Sequence, residues 1–411
     1  MKDFFSMLQN HDRQFECPLE RSDQGNEFEL LLTCCRPVAL AVDFKRQEEL
    51  AKKNLDTNKV LELARRHKVD SLVFSNLKVH AVGTFDKALI DGLATMYKSN
   101  SHRAIKSLQA LRQIAKLELN CPVFVMKGLD VAFRAYKDLA VRDVGDIDLL
   151  VAPENLRSFF RGVESQGWSP KLGICEHFFS SKILRIGTCD TTLFRETFPR
   201  LELHWRPIYN PYEFPLSHLD RSSCSINSDT GLAQFDNEEL LIYLCVHGKK
   251  HGWARLKWLF DLPNAIEKLE TDWQKLWLRA GKLGASIAVQ EGLLLARKYC
   301  NLQLDGEVTR GFKNKISKSQ WLLISKFQLG PVMWIENPPL NLMLRGWINR
   351  TLAAPNLKIS FWYAMSIFMP SIHDYELIKL PKKFEFFYFL FKPLMWIIRR
   401  SRLWKTRIGF V

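Results

Sequence analysis

Asp146 and Asp148 stand one residue apart in "VRDVGDIDLLVAP", a run whose Ile147, Leu149, Leu150 and Val151 are core residues by type. A lone carboxylate among apolar side chains is costly to bury. Two facing each other are worse unless something positive sits between them. Alternate side chains of a strand share a face. The spacing therefore predicts a strand that turns both aspartates to one side and Ile147 and Leu149 to the other. "LELHW" repeats the pattern, with Glu202 and His204 opposite Leu201, Leu203 and Trp205. If the two strands are neighbours, three carboxylates converge in an oxygen-rich site suited to Mg2+ or Mn2+. Two such ions would activate an attacking hydroxyl and neutralise a leaving pyrophosphate. His204 fits two roles beside them, general base or hydrogen-bond partner of a carboxylate.

Upstream, "PVFVM" reads as a short strand that ends at Lys127 and Gly128, before a helical "LDVAFRAYKDLA". A glycine at that turn lets the backbone approach a phosphate, and the helix N-terminus offers N–H donors. Lys127 and Arg142 supply phosphate-binding charge. His247 and His251 lie four residues apart and share a helix face. Three roles suit them: zinc ligands, nucleotide contacts over the cleft together with His204, or structural histidines. No third zinc ligand is evident, and no glutamate adjoins the first histidine as in a zinc protease. Arg255 and Lys257 follow, with Asp261 available to pair with one of them. Trp253 and Trp258 fall at helical spacing, as core or as a platform for a base.

These residues need elements to hold them. The N-terminal part reads as amphipathic helices, in "NKVLELARRHKVDSLVFSNLKVH" and in a longer "SHRAIKSLQALRQIAKLELN". From Cys121 to "RLELHWRP" strands alternate with helices, and from Asn237 the chain turns helical again. The pattern predicts an α+β protein in four parts: an N-terminal helical domain over 1–114, an α/β core over 115–232, a C-terminal helical domain over 233–330 and an aromatic, basic tail over 331–411. In the tail, "FEFFYFLFKPLMWIIRRSRLWKTR" is interrupted by Lys392 and Pro393, so it is not expected to span a membrane. Its aromatics, followed by Arg399, Arg400, Arg402, Lys405 and Arg407, suit either peripheral contact with anionic lipid or a terminal helix packed on the body.

The chain has 411 residues, 47% apolar and 25% charged, ordinary proportions for a globular protein. Its formal net charge of +15 is not ordinary and favours an anionic partner. Nine cysteines without a C-x-x-C pair form neither a zinc framework nor a disulfide scaffold. With an opening stretch too polar for a secretion signal, they point to a cytoplasmic protein, with peripheral association at the inner face of the membrane as a variant.

The order of these pieces resembles the nucleotidyltransferase fold of the DNA polymerase β superfamily: a strand, a glycine turn, a helix, a D-x-D strand and a later carboxylate strand. "KGLDVAFRAYKDLAVRDVGDIDLLV", "LELHW" and "HGKKHGWARLKWLFDL" are similar to the uncharacterised nucleotidyltransferases found beside polysaccharide and modified-peptide genes. Weaker similarity in "LARRHKVDSLVFSNL" extends the match to about residues 25–300. The chain departs from the superfamily pattern in three places. Leu129 replaces the usual serine after glycine, the segment between Gly128 and Asp146 is longer, and Glu202 stands where aspartate is commoner. The resemblance implies a small mixed sheet between helical domains. It also implies Mg2+-dependent transfer of a nucleoside monophosphate from an NTP. Asp146, Asp148 and Glu202 would be catalytic metal ligands, and Lys127, Gly128 and Arg142 would hold the triphosphate. The acceptor is left open among a sugar, a lipid-linked glycan intermediate, a peptide and a protein. Two rivals are a nucleotide-binding scaffold without turnover and an RNA-modifying enzyme, for which net charge is the sole support.

Overall fold

The computed structural model describes residues 25–36, 41–80, 83–119, 121–170, 179, 181–218, 224–312, 344, 347–348, 350–352, 354 and 356–407. Helices α1 (Gly25–Cys35), α2 (Ala41–Ala51), α3 (Thr57–His67) and α4 (Asp70–His80) precede one long helix, α5 (Lys87–Ala115). Aspartates start two of them: Asp56 accepts from Lys59 N at 3.1 Å and Asp86 from Ala88 N at 3.1 Å. Further along lie α6 (Leu129–Val131), α7 (Leu156–Ser165), α8 (Asn237–Lys250), α9 (Leu256–Lys268), α10 (Trp273–Lys282) and α11 (Ser286–Cys300). The tail contributes α12 (Leu357–Met365), α13 (Ile372–Leu377) and α14 (Phe387–Arg407).

The described strands form one mixed sheet. They are β1 (Val123–Val125), β2 (Ile147–Val151), β3 (Ser169–Pro170), β4 (Asp190–Phe194), β5 (Leu201–His204), β6 (Ser225–Ile226) and β7 (Ala233–Gln234). Their order is β3-β4-β5-β2-β1-β7-β6, so β2 and β5 are neighbours, and they run parallel. The fold is α+β, with helices at both ends of the chain around this sheet.

Period-two alternation sorts the sheet's side chains into two layers. Val123, Val125, Ile147, Leu149 and Val151 pack on Leu111 and Ile114 of α5 and Phe159 and Val163 of α7. Phe124, Met126 and Leu150 face the other way. They join one core shared by Leu30 and Val73 of the N-terminal helices and Leu240 and Leu293 of the C-terminal ones. Both faces of β2 are therefore buried, and any charge on it needs a partner.

Two elements differ from expectation. "LDVAFRAYKDLA" does not form one regular helix: α6 continues as a π-wound turn over Ala132–Tyr136, and Lys137 ends it in the left-handed region at φ 57°. In the tail, α14 runs through Lys392 and Pro393 instead of breaking there. Proline removes one N–H donor, but Lys392 is buried and bonds Asp374 of α13 at 2.5 Å, which holds the helix on the body at that turn. No described helix is long and apolar enough to cross a membrane. Residues 331–343 and the side chains of Arg400, Arg402, Lys405 and Arg407 lie outside the described residues.

Candidate active site

The two carboxylate strands are neighbours. Asp148 of β2 is in register with Glu202 of β5, and Leu150 with His204. On the far side of β5, Asp190 of β4 is in register with His204. Asp146 sits just before β2, so Asp146, Asp148, Glu202 and His204 share one face at one end of the sheet.

Asp148 is the buried centre, its side chain 0% exposed. Its Oδ1 takes an ion pair from Lys127 Nζ at 3.0 Å and lies 3.3 Å from His204 Nε2. His204 Nε2 also lies 3.7 Å from Glu202 Oε2, and its Nδ1 lies 3.8 Å from Asp190 Oδ2. Burial pushes the Asp148 carboxyl up, but Lys127 and His204 outweigh it and hold it well below the usual carboxylate range. Burial works against His204 too, yet its bonds to Asp148 and Glu202 raise the imidazole well above its ordinary value. Glu202 moves the other way: burial, with Asp148 and Asp146 beside it, raises its carboxyl. The pair thus holds one firmly ionised carboxylate and one that protonates more readily.

The other oxygen of Asp148, Oδ2, is buried and has no hydrogen-bond partner. A buried, ionised oxygen left unsatisfied is expensive. Asp148, Glu202 and His204 offer ligand atoms within 4.8 Å of one another. This donor set, hard oxygens with one imidazole, fits a divalent cation. Cys189, Asp190 and His204 form a second group with the same spread, on the other side of the shared histidine.

The Lys127–Gly128 turn is built as the sequence suggests. Gly128 has φ +66° and ψ −112°, a conformation disfavoured for side-chain-bearing residues, and a Cβ there would lie 3.4 Å from the Asp146 carbonyl oxygen. Ala132 N donates to the Gly128 carbonyl at 3.1 Å, which starts the helical segment.

Arg142 does not lie where phosphate binding would place it. Its buried guanidinium donates from Nε and Nη2 to the two oxygens of Asp261 in α9, each at 2.8 Å, and from Nη1 to the Gly128 carbonyl at 3.2 Å. Asp261 also accepts from Tyr136 Oη at 3.0 Å. Arg142 is a strut between α9 and the glycine turn. Asp261 is its partner, not that of Arg255 or Lys257.

Helix α5 fixes the loop that delivers Asp146. Asn100 Nδ2 donates to the carbonyls of Ala140 and Arg142 at 2.7 and 3.0 Å, and Asn100 Oδ1 accepts from Val144 N at 2.8 Å. Asp143 binds Arg103 at 3.0 Å and lies near Lys68 and Lys257, at 3.8 and 3.7 Å. Nothing local to "VRDVGD" marks these distant partners.

His247 and His251 face each other with ring centroids 4.6 Å apart, and His251 stacks on Trp258 at 4.7 Å. Arg255 lies over the other ring system of that stack, 5.4 Å from the Trp258 centroid. Burial, with Lys127 and Lys250 nearby, holds both imidazoles well below their usual range, so they are neutral at neutral pH. They bring ring faces and N–H groups rather than charge. Trp253 is core, donating to Glu291 at 2.9 Å.

Two groups escaped the sequence. Arg200, 55% exposed, lies 3.5 Å from Asp146 and 3.8 Å from Glu202 at the mouth of the site. Its place two residues before Glu202 was the available signal. Ser107 of α5 borders the same small void as Lys127, Asp146 and Asp148, and its buried hydroxyl has no hydrogen-bond partner. A serine within a long amphipathic helix carries no such signal.

Neither a curated protein nor a solved structure matches the chain. Residues 53–301 match the family model described as uncharacterised nucleotidyltransferase, a span that takes in Lys127, both aspartates, Glu202 and the paired histidines, and the chain belongs to that family.

Proposed function

We propose that the protein transfers a nucleoside monophosphate from an NTP to an acceptor in a reaction that needs Mg2+ or Mn2+. Family membership supports nucleotidyl transfer in general. The observation that carries the metal-dependent form is the in-register pair Asp148 and Glu202, with an unpartnered buried oxygen on Asp148. Asp146, Asp148 and Glu202 would hold the cation. When bound, it supplies neutralisation of the triphosphate and a more acidic attacking hydroxyl.

The chain's own residues do the positioning. Lys127, beside the Gly128 turn where the backbone can come close to a phosphate, would supply positive charge to the triphosphate. The Ser107 hydroxyl, unpartnered beside Lys127 and the aspartates, would be one more donor to the bound nucleotide. Arg200 brings an exposed positive charge to the edge of the site. His204 holds the Asp148 and Glu202 carboxylates at fixed spacing by bonding both. Positioning and charge stabilisation of this kind carry most of the catalysis in phosphoryl transfer. The acceptor class stays as broad as a sugar, a glycan intermediate, a peptide or a protein, with surface polysaccharide synthesis as one setting.

The test is a titration with each of the four NTPs, with and without Mg2+, following binding and pyrophosphate release. Asp148→Asn is the control. Binding that requires both Mg2+ and Asp148, with pyrophosphate released, supports the assignment. Metal-dependent binding without release in the presence of candidate acceptors would favour a nucleotide-binding scaffold, which the Leu129 in place of serine also suits. Full turnover by Asp148→Asn would refute the site.

A further inference from the structure

Over Phe387–Ile398, helix α14 carries large apolar side chains on two opposite sides, and among the described residues only one of these sides is covered. Tyr388 and Met395 are buried in the layer that holds β1 and β2. Lys392 and Arg399, on that inner side, reach Asp374 at 2.5 and 3.3 Å. Leu390, Leu394 and Ile397 recur at steps of four and three, which puts them on one opposite face. They are 70%, 57% and 57% exposed. A surface helix ordinarily turns charged residues outward, and a helix that is apolar all round is ordinarily buried.

A second helix adds to this face. The 3-10 turn Ser366–Phe368 packs against α14 and continues from α12. Helix α12 buries Ile359 and Trp362 but exposes Leu357 and Phe361, four residues apart, at 88% and 69%. Phe368 and Phe386 are exposed as well, at the junctions. The two helices, joined through the 3-10 turn, thus leave a set of large apolar side chains exposed, of a kind that marks a binding face.

The exposed charges described along this segment have one sign. Among the described side chains of residues 357–399, the exposed charged groups are Lys358, Lys379, Lys382 and Lys383. The acidic groups described there, Asp374 and Glu385, are buried and bond Lys392 and Ser181. We propose that this face docks on an anionic lipid bilayer, with the leucines and phenylalanines at the headgroup–acyl boundary and the lysines against the headgroups. A second copy of the chain is the poorer occupant. A two-fold interface on this face would set the same lysine fringe against itself. The protein would lie on the membrane, consistent with no described helix being fit to cross it.

The experiment is flotation of the full-length protein with vesicles of phosphatidylcholine alone and of phosphatidylcholine with phosphatidylglycerol. Binding is expected to the second and not the first. Lys382→Ala with Lys383→Ala should weaken it roughly twenty-five-fold at low salt, about fivefold for each lysine, and flatten its salt dependence. Leu390→Glu with Leu394→Glu should abolish it with the circular dichroism spectrum unchanged, since both side chains are exposed. Asp148→Asn should bind vesicles like the parent, so a failed nucleotide site and a failed membrane face are told apart. Absence of binding, equal binding to both vesicles, or binding unaffected by the leucine changes would overturn the proposal. So would a dimer that the leucine changes dissociate while no vesicle binding is seen.

Discussion

Asp261→Asn removes the carboxylate to which the buried Arg142 guanidinium donates twice. The Arg142 and Asp261 side chains are 4% and 0% exposed and joined by two hydrogen bonds of 2.8 Å. Tyr136 adds a third bond to Asp261, at 3.0 Å. Breaking one side of such a buried pair costs about 3–5 kcal/mol, against roughly 0–1 kcal/mol for an exposed pair. Arg142→Met should cost a similar amount, by stranding the carboxylate. Arg142→Met combined with Asp261→Asn removes both charges and should cost no more than one of the single changes. The coupling energy would then be about 3–5 kcal/mol, at or above the top of the range for contacting residues. Urea denaturation followed by tryptophan fluorescence measures all four proteins, and the NTP KM of each completes the set. The strut also bonds the Gly128 carbonyl, so the single variants should lose turnover along with stability. Single effects that simply add in the double variant would refute the pairing. Unchanged stability in Arg142→Met with a large rise in KM would instead place that side chain on the triphosphate.

Further outcomes follow from the site and its supports. Gly128→Ala forces a side chain onto φ +66° and should cost about 1–3 kcal/mol while depressing turnover, read by thermal melts and pyrophosphate release; a variant of parental stability would count against the turn. Ser107→Ala removes a buried hydroxyl without a partner, so the melt should hold or rise, while the NTP KM rises about fivefold if that hydroxyl meets the nucleotide. An unchanged KM would remove Ser107 from the site. Burial, with Arg66 and Arg255 adding to it, holds His67 down at about 4, whereas unfolded histidine titrates near ~6.5. The folded chain therefore binds fewer protons between those values. Its stability is full above pH ~6.5 and falls by about 3 kcal/mol towards pH 4 on this account. His67→Gln should flatten that acid limb of the urea midpoint, and a limb of unchanged slope would contradict it.

The carboxylate geometry was legible because period-two alternation is a local property. Asp146 with Asp148, and Glu202 with His204, declare their faces within five residues each. What alternation could not supply was the pairing of β2 with β5, which rested on resemblance until the register showed Asp148 beside Glu202. Arg142 was legible as a cation near the site but not as a strut, since its partner Asp261 is 119 residues away. Asp261 is one of several acids near "RLKWLF", and only packing selects among them. The neutrality of His247 and His251 arises from burial, which spacing does not report. In the tail, aromatic density suited membrane contact and core packing equally. The structure shows α14 using one side for packing and leaving the other exposed.

The core that joins α1 to α4 with α8 to α11 has a consequence for how the chain is made. Leu30, Val60, Val73 and their neighbours are synthesised first, yet the side chains that cover them extend to Cys300. At a synthesis rate of 5–20 residues per second, roughly ten to forty seconds pass between the end of α5 and the end of α11. Through that interval the first helices leave the ribosome without the surface they are shaped to meet. This layer can close only once α11 has emerged, and until then the nascent N-terminal helices are a natural client for a holding chaperone.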